Sequence, residues 1–104
     1  MITVSPEAAK QIQNSAKQSN AEGMCLRVAV RVTPDETYDY GMGFDQATEE
    51  DMRNTSEGID IVVAPDHAEL LHGTHIDYVE LETGEYNFIF QNPNDPNYKP
   101  PKED

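Results

Sequence analysis

The spacing of apolar residues near the start of the chain is that of a helix. Ser5, Pro6 and Glu7 supply an N-cap residue, a proline at the first helical position and an early acid, a combination that predicts a helix start. Apolar residues then recur at helical spacing, at Ala8, Ala9, Ile12 and Ala16. The segment after a short β-prone start therefore predicts a helix with a narrow face of small residues, ended by residues 20–23.

From residue 24 onward the apolar residues occupy every second position instead. This is the period of a strand with one buried face, and it places Arg27 and Arg31 on the wetter face. A second alternating run covers residues 38–45, after a short acidic turn, so the two runs predict a hairpin. Residues 46–58 are polar and rich in acids, which is typical of a surface loop.

The second half of the chain continues with short apolar runs. Residues 59–63 predict a strand, residues 65–71 a short helix ended by His72 and Gly73, and residues 76–90 two strands that turn near Gly84. Together with the β-prone start, this gives six strands and two helices. The predicted fold class is a compact α+β domain, mainly β, with mostly antiparallel strands.

Length and charge restrict the function. A chain of 104 residues forms one domain with a modest core, and its net charge of −13 repels nucleic-acid phosphates and anionic lipid headgroups. We therefore expect no direct nucleic-acid or membrane partner. No apolar run approaches the roughly 18 to 20 residues of a membrane span, and the start of the chain lacks a basic segment followed by an apolar one. A cytoplasmic location is expected.

Three histidines lie close together in the sequence, as in some transition-metal sites. However, His67 and His72 are five positions apart, so a helix does not stack them, and Gly73 interrupts the backbone before His75. Solvent-exposed histidines around a helix end are therefore expected instead of a metal site.

Two other groups of reactive side chains also have ordinary interpretations. The acidic run at Glu49, Glu50 and Asp51 lacks the alternating ligands and central glycine of a calcium loop, and a solvated face is predicted. The single cysteine, Cys25, has no CxxC partner and is expected to act as a small half-buried hydrophobe. No acid–base pair, nucleophile or cofactor motif is found, so the prediction is a protein that is not an enzyme.

Several segments of the chain resemble one known family. ITVSPEAAKQI, LRVAVR, YDYGMGFD, GIDIVVAPDHAELLHGTHIDYVE and FIFQNPN occur in the order seen in the HesB/IscA family of A-type iron–sulfur carriers. The resemblance covers about residues 2–94 and implies a compact fold of two small mixed or antiparallel sheets with short flanking helices. We accordingly predict a domain at residues 1–94 and a flexible tail at residues 95–104, which is rich in proline and charge.

The resemblance also implies that this chain has lost the cluster ligands of the family. In cluster-carrying members one cysteine lies in the turn after the first long strand, and a Cys-Gly-Cys motif lies in the tail. Here Asp35, Lys99 and Pro101 occupy the three cysteine positions. Because clusters are held mainly by thiolates, and Cys25 belongs to neither segment, we expect no cluster, no other cofactor and no metal site.

A scaffold without its ligands is expected to act through its surface. Cysteine-free members of the family are associated with sulfur-oxidation genes, and this chain most resembles those of the dissimilatory sulfite reductase gene group. The resemblance implies an accessory or regulatory role in sulfur metabolism through contacts with proteins of sulfur oxidation or iron–sulfur assembly. A monomer or weak oligomer is expected, because relatives assemble partly through the missing metal site.

The hairpin turn is the predicted contact surface, comprising Pro34, Asp35, Glu36, Tyr38 and Tyr40. Strand alternation leaves open whether the two tyrosines are exposed anchors or core residues. An alternative function is mononuclear iron binding, as an iron donor for cluster assembly. Asp35 and Glu36, with Tyr38 or Tyr40, would then supply oxygen ligands, which suit ferric iron.

Overall fold

The computed structural model describes residues 1–96, and in them it contains seven strands and two helices. In chain order these are β1 (Thr3–Val4), α1 (Pro6–Gln18), β2 (Cys25–Val32), β3 (Tyr38–Asp45), β4 (Met52–Ser56), β5 (Ile59–Val63), α2 (Pro65–Leu71), β6 (His75–Glu80) and β7 (Tyr86–Gln91). The predicted fold class, the hairpin and both helices are confirmed. The prediction of six strands is wrong by one.

The missed strand is β4, which lies within the predicted surface loop. Met52 is the only apolar residue in this strand, so no hydrophobic alternation marks it. It pairs antiparallel with β5 across a turn in which Glu57 and Gly58 both have positive φ angles, 50° and 78°. Pairing with an apolar neighbour therefore forms a strand that the local sequence pattern does not indicate.

The strands form two sheets. The four-stranded sheet has the order β3-β2-β5-β4 and the three-stranded sheet the order β1-β6-β7. Two pairs are parallel, β2 with β5 and β1 with β6, and the others are antiparallel. The core includes Val28, Ile61, Leu71 and Ile76, each no more than 1% exposed, so β2, β5, β6 and α2 all contribute to one interior.

Helix α1 begins as the sequence predicts. The Ser5 hydroxyl accepts a hydrogen bond from the Ala8 amide at 3.0 Å and caps the first turn. Ala8, Ala9 and Ile12 are buried, and their small size allows the helix to lie close to the sheets. Neither helix within residues 1–96 is long and apolar enough to cross a bilayer.

On one side of the molecule, β1 and β4 join the two sheets. The Asn54 side chain accepts from the Ile2 amide at 3.2 Å and donates to the Ile2 carbonyl at 2.7 Å. The Ser56 hydroxyl accepts from the Val4 amide at 3.1 Å. Side chains of β4 therefore form hydrogen bonds with the backbone amides and carbonyl at the outer edge of the N-terminal segment. We call this region the closed side.

Candidate functional site

The predicted contact surface begins at the turn between β2 and β3. Pro34, Asp35 and Glu36 are all exposed. The turn is closed by backbone bonds from Thr33 to Thr37 at 2.8 Å and from Glu36 to Thr33 at 2.9 Å, with Glu36 in the left-handed region at φ 67°. The carboxylates of Asp35 and Glu36 make none of the side-chain hydrogen bonds or ion pairs within residues 1–96. They are available to a partner.

The Tyr40 side chain packs against other residues of the domain. Its ring stacks on Phe90 with the centroids 4.7 Å apart and the planes 3° from parallel, and its hydroxyl donates to the Asp95 carboxylate at 2.7 Å. Burial, together with the hydrogen bond to Asp95, raises the pKa of Tyr40 well above its ordinary value. Of the two interpretations of the tyrosines, packing describes Tyr40, and Tyr38 is also half-buried against the core.

The residues that follow β7, and the first tail residue Asp95, are held against the rest of the domain. Asn92 is 1% exposed and donates to the Leu70 carbonyl at 2.7 Å, while the Asn94 side chain donates to the His72 carbonyl at 2.8 Å. Together with the bond between Tyr40 and Asp95, this places the tail start beside β3. The predicted boundary after residue 94 stays a prediction, and Lys99 and Pro101 lie outside the described residues.

The fold places the single thiol far from the turn between β2 and β3. Cys25 is 8% exposed and begins β2, where it pairs with Asp45 at the end of the hairpin opposite the turn. At ~3.3 Å per residue, the length of β2 separates it from the turn by roughly 20 Å. The predicted half-buried role understates its burial, and Cys25 is not positioned to act with Asp35.

The three histidines each contact a different part of the backbone or a different side chain. His67 Nδ1 accepts a hydrogen bond from the Val30 amide at 3.0 Å. Strand β5 ends before it could pair with Val30, and the histidine takes the place of that strand partner. His72 Nδ1 lies 3.1 Å from the N-terminal amine, and His75 Nδ1 lies 2.8 Å from the Thr3 hydroxyl. Solvent exposure was predicted for all three, but only His72 is exposed, and His67 and His75 are half-buried.

The acidic loop contains a part-buried ion pair that the sequence did not reveal. The Asp51 side chain is 3% exposed and accepts two bonds from Arg27, at 2.6 and 2.9 Å, and one from the Thr48 amide at 2.8 Å. Arg27 also donates to Asp45 at 2.7 Å, and the guanidinium holds the pKa values of both carboxyls well below their usual range. The predicted solvated face is wrong for Asp51, which fastens the loop that leads into β4.

No group of three or more His, Cys, Asp or Glu side chains within residues 1–96 is arranged to hold a metal ion. The oxygen ligands considered for ferric iron do not converge either. Tyr40 is directed to Asp95, and its raised pKa disfavours the phenolate that a ferric ion would require. Asp35 and Glu36 remain as an exposed acidic turn.

Comparison with known proteins connects this scaffold to a family. Residues 1–99 match the family described as iron-sulphur cluster biosynthesis. The chain belongs to this family. The iron–sulfur cluster insertion protein ErpA of Alkalilimnicola ehrlichii is 32% identical over 94 residues, which cover 89% of this chain and 76% of that protein. The protein SufA of Bacillus subtilis is also 32% identical, covering 89% and 78%.

Solved structures of family members have the same fold. A crystal structure of IscA with the [2Fe-2S] cluster superposes with a TM-score of 0.77 at 26% identity, covering 89% of this chain and 86% of that one. A solution structure of a protein from Aquifex aeolicus is 31% identical, with a TM-score of 0.63, and covers 86% and 89%. The fold implied by the resemblance is confirmed.

The side chains of this family member do not fit a bound iron–sulfur cluster. Thiolates are the usual ligands of such clusters, and the chain has a single cysteine. That cysteine is buried in β2, and the exposed turn carries Asp35 instead of a thiol. The scaffold is shared with IscA, and the one thiol of this chain is buried in β2.

Proposed function

We propose that this member of the iron–sulfur cluster biosynthesis family has lost cluster carriage and acts through protein contacts. The observation that carries the proposal is the position of Cys25, buried at the end of the hairpin opposite Asp35. One buried sulfur cannot supply the thiolates of a cluster. The exposed turn with its two uncommitted carboxylates supports a surface that is still available for contact.

The biological setting follows from the family resemblance. The chain is an accessory or regulatory protein of sulfur metabolism, specifically of sulfur oxidation, comparable with cysteine-free members of the dissimilatory sulfite reductase gene group. It works in the cytoplasm without catalysis and contacts proteins of sulfur oxidation or iron–sulfur assembly. The net charge of −13 favours a partner with a basic surface.

Iron carriage by oxygen ligands is the second candidate function. It has support from the exposed acidic turn, since Asp35 and Glu36 are hard donors. It is weakened by Tyr40, whose hydroxyl is committed to Asp95. Titration of the protein with ferric and ferrous iron separates the two functions, because a contact protein shows no saturable stoichiometric binding, and an iron carrier does.

Restoring the cysteines tests the main proposal. Anaerobic reconstitution with iron and sulfide should leave the wild type colourless after desalting, because it lacks the thiolates. The triple variant Asp35→Cys, Lys99→Cys, Pro101→Cys should acquire the visible absorption of a cluster. A Cys25→Ser variant of the wild type provides the matched control.

The proposal fails if the wild type retains a stoichiometric cluster after desalting and the Cys25→Ser variant retains it as well. Such a result would mean that other side chains replace the thiolates. A cluster that forms only in the triple variant would assign the loss of carriage to the three replaced positions.

A further inference from the structure

The side opposite the closed side contains the free edge of β3. In the β2–β3 hairpin the backbone bond from Thr33 to Thr37 sets the alternation of hydrogen-bonded pairs. Residues 39, 41, 43 and 45 therefore direct their amides and carbonyls toward β2. The outward backbone groups belong to Tyr38, Tyr40, Met42 and Phe44, and no residue of 1–96 pairs with them.

This edge lacks the usual protection. Exposed edge strands are commonly guarded by lysines, prolines or bulges, because unpaired backbone groups recruit another strand. Residues 40–44 of β3 contain no charge and no proline, and the register with β2 runs without a bulge over the whole strand. The carboxylates of Asp39 and Asp45 lie only at its two ends.

The fold does not require glycine at the two positions of β3 where it occurs. Neither Gly41 nor Gly43 has a positive φ angle, and an added Cβ at either position would meet nothing within 4 Å. Glycine weakens a strand and often marks a place where another backbone approaches closely. The face that carries these glycines is therefore flat and open at the middle of the free edge.

An apolar cavity of about 160 Å³ lies beside the same edge. It is lined by Met42 and Phe44 of β3, together with Ile12, Leu26 and Phe88. Side chains of a strand added next to β3 would lie beside those of Met42 and Phe44 on the same face. Apolar side chains of that strand would enter the cavity, while the alternate ones would lie on the glycine face.

The charge of this chain favours one kind of strand over another as the partner of β3. Two copies of this chain would each carry a net charge of −13, and this repulsion opposes their pairing through β3. Asp39 and Asp45 already pair with Arg31 and Arg27, so the uncommitted charge beside β3 is that of Asp35 and Glu36 in the acidic turn. A segment with basic side chains would meet these two carboxylates. Opposite charge therefore favours a basic partner over a second copy.

We propose that β3 is a strand-addition site for an extended partner segment in which apolar and basic residues alternate. The backbone of that segment pairs with the outward groups of Tyr38, Tyr40, Met42 and Phe44, and its apolar side chains fill the cavity. This inference rests on the proposed function, since it names the surface and the class of partner through which a contact protein would act.

Synthetic peptides test the site directly on the full chain. The probe is a capped peptide of sequence KVKVKVK, and the controls are EVEVEVE, with reversed charge, and KKKKVVV, with the same composition but no alternation. Hydrogen exchange of the outward amides in β3 is followed by nuclear magnetic resonance. At a peptide concentration about ten times Kd, KVKVKVK should slow that exchange about tenfold, and the controls should not.

Two variants test whether the slowed exchange arises from pairing of the peptide with the free edge of β3. Met42→Pro removes one outward amide and no bond to β2, so it should abolish the protection at the neighbouring outward amides. Gly41→Lys adds a positive charge where no atom is close, and it should weaken KVKVKVK binding severalfold at low salt while the fold is kept. Gln13→Lys, the same charge change on exposed helix α1, is its matched control and should bind as the wild type does.

The proposal is overturned if KVKVKVK leaves the outward amides unprotected, or if KKKKVVV protects them equally. Protection that rises with protein concentration in the absence of peptide would overturn the basic occupant in favour of a second copy. Failure of the peptide experiment leaves the loss of cluster carriage untouched. A cluster on the wild-type chain would overturn the proposed function and leave peptide binding at β3 as a separate result.

Discussion

On the closed side, Asn54 and Ser56 bond the backbone of residues 2–4, so polar side chains complete an edge that has no neighbouring strand. On the side of β3, the sheets meet through the Tyr40 ring on Phe90 and the hydroxyl bond to Asp95, while the outward backbone of the strand has no partner in residues 1–96. The comparison shows that this fold can satisfy a sheet edge with side chains. The edge of β3 has no such arrangement.

The closed side should give the largest loss of stability. Asn54→Ala removes the donor and the acceptor that satisfy Ile2 and leaves two part-buried backbone groups unpaired, which should cost about 2 to 3 kcal/mol. The free energy of unfolding is measured by urea denaturation. Arg53→Ala, on the exposed face of the same strand, should change it by less than about 0.5 kcal/mol. Equal effects of the two substitutions would show that the closed side depends on something other than Asn54.

Acid should weaken the attachment of the loop that leads into β4. Arg27 lowers the pKa values of Asp51 and Asp45, so their contribution to stability is complete above the unfolded value of about 4 and is lost as the pH falls through the folded one. The wild-type urea midpoint should therefore drop below about pH 4. Asp51→Asn should be less stable at pH 7 and should change less on acidification.

The exposed neighbour Glu50 provides the control for that experiment. Glu50→Gln removes a carboxylate from the same loop, but not one that Arg27 contacts, so its midpoint should follow that of the wild type from pH 7 to pH 2. If Asp51→Asn also follows the wild type throughout, the ion pair is not the source of the acid sensitivity.

The side of β3 should show a smaller effect when the hydrogen bond of the Tyr40 hydroxyl is removed. Tyr40→Phe keeps the ring on Phe90 and loses the bond to Asp95, which should cost about 1 kcal/mol at neutral pH. Because the pKa of Tyr40 is raised, its contribution is complete below about pH 10 and is lost as the pH rises through the folded value. The difference between the two proteins should therefore shrink at high pH.

Ultraviolet titration of the phenolates provides the second measurement on Tyr40. Glu80 also raises the pKa of Tyr86, so the wild type should contain two tyrosines with raised pKa values, and Tyr40→Phe should remove the one that is raised more strongly. Tyr38→Phe, which removes a hydroxyl without a hydrogen bond among residues 1–96, should leave the stability nearly unchanged. A Tyr38 substitution as costly as that of Tyr40 would contradict the role given to Asp95.

The hairpin turn should show the smallest effect on stability and a distinct effect on contact. Reversal of both charges with Asp35→Lys and Glu36→Lys should change the free energy of unfolding by less than about 0.5 kcal/mol, because both side chains are exposed. Capture of a native partner should weaken, and more at low salt than at high salt. Undiminished capture at low ionic strength would exclude the turn as the contact surface and make exposed Glu49 and Glu50 the next candidates.

Local patterns in the sequence predicted much of the fold. The Ser5 cap, the small face of α1 and the two alternating runs of the hairpin are each encoded by residues adjacent along the chain. The replacement of ligand cysteines by Asp35, Lys99 and Pro101 stays a prediction from the family resemblance, and the presence of a single cysteine in the chain agrees with it.

Only the tertiary structure decided the roles of the polar residues. Asn54 meets Ile2 across 52 positions, Tyr40 meets Asp95 across 55, and His67 meets Val30 across 37. Apolar periodicity reports which face of one element is buried, because burial repeats along that element. It does not report which distant backbone group or carboxylate a polar side chain will satisfy. Strand β4, the burial of Asp51 and the free edge of β3 depend on such partners, and they emerge only when the sheets are assembled.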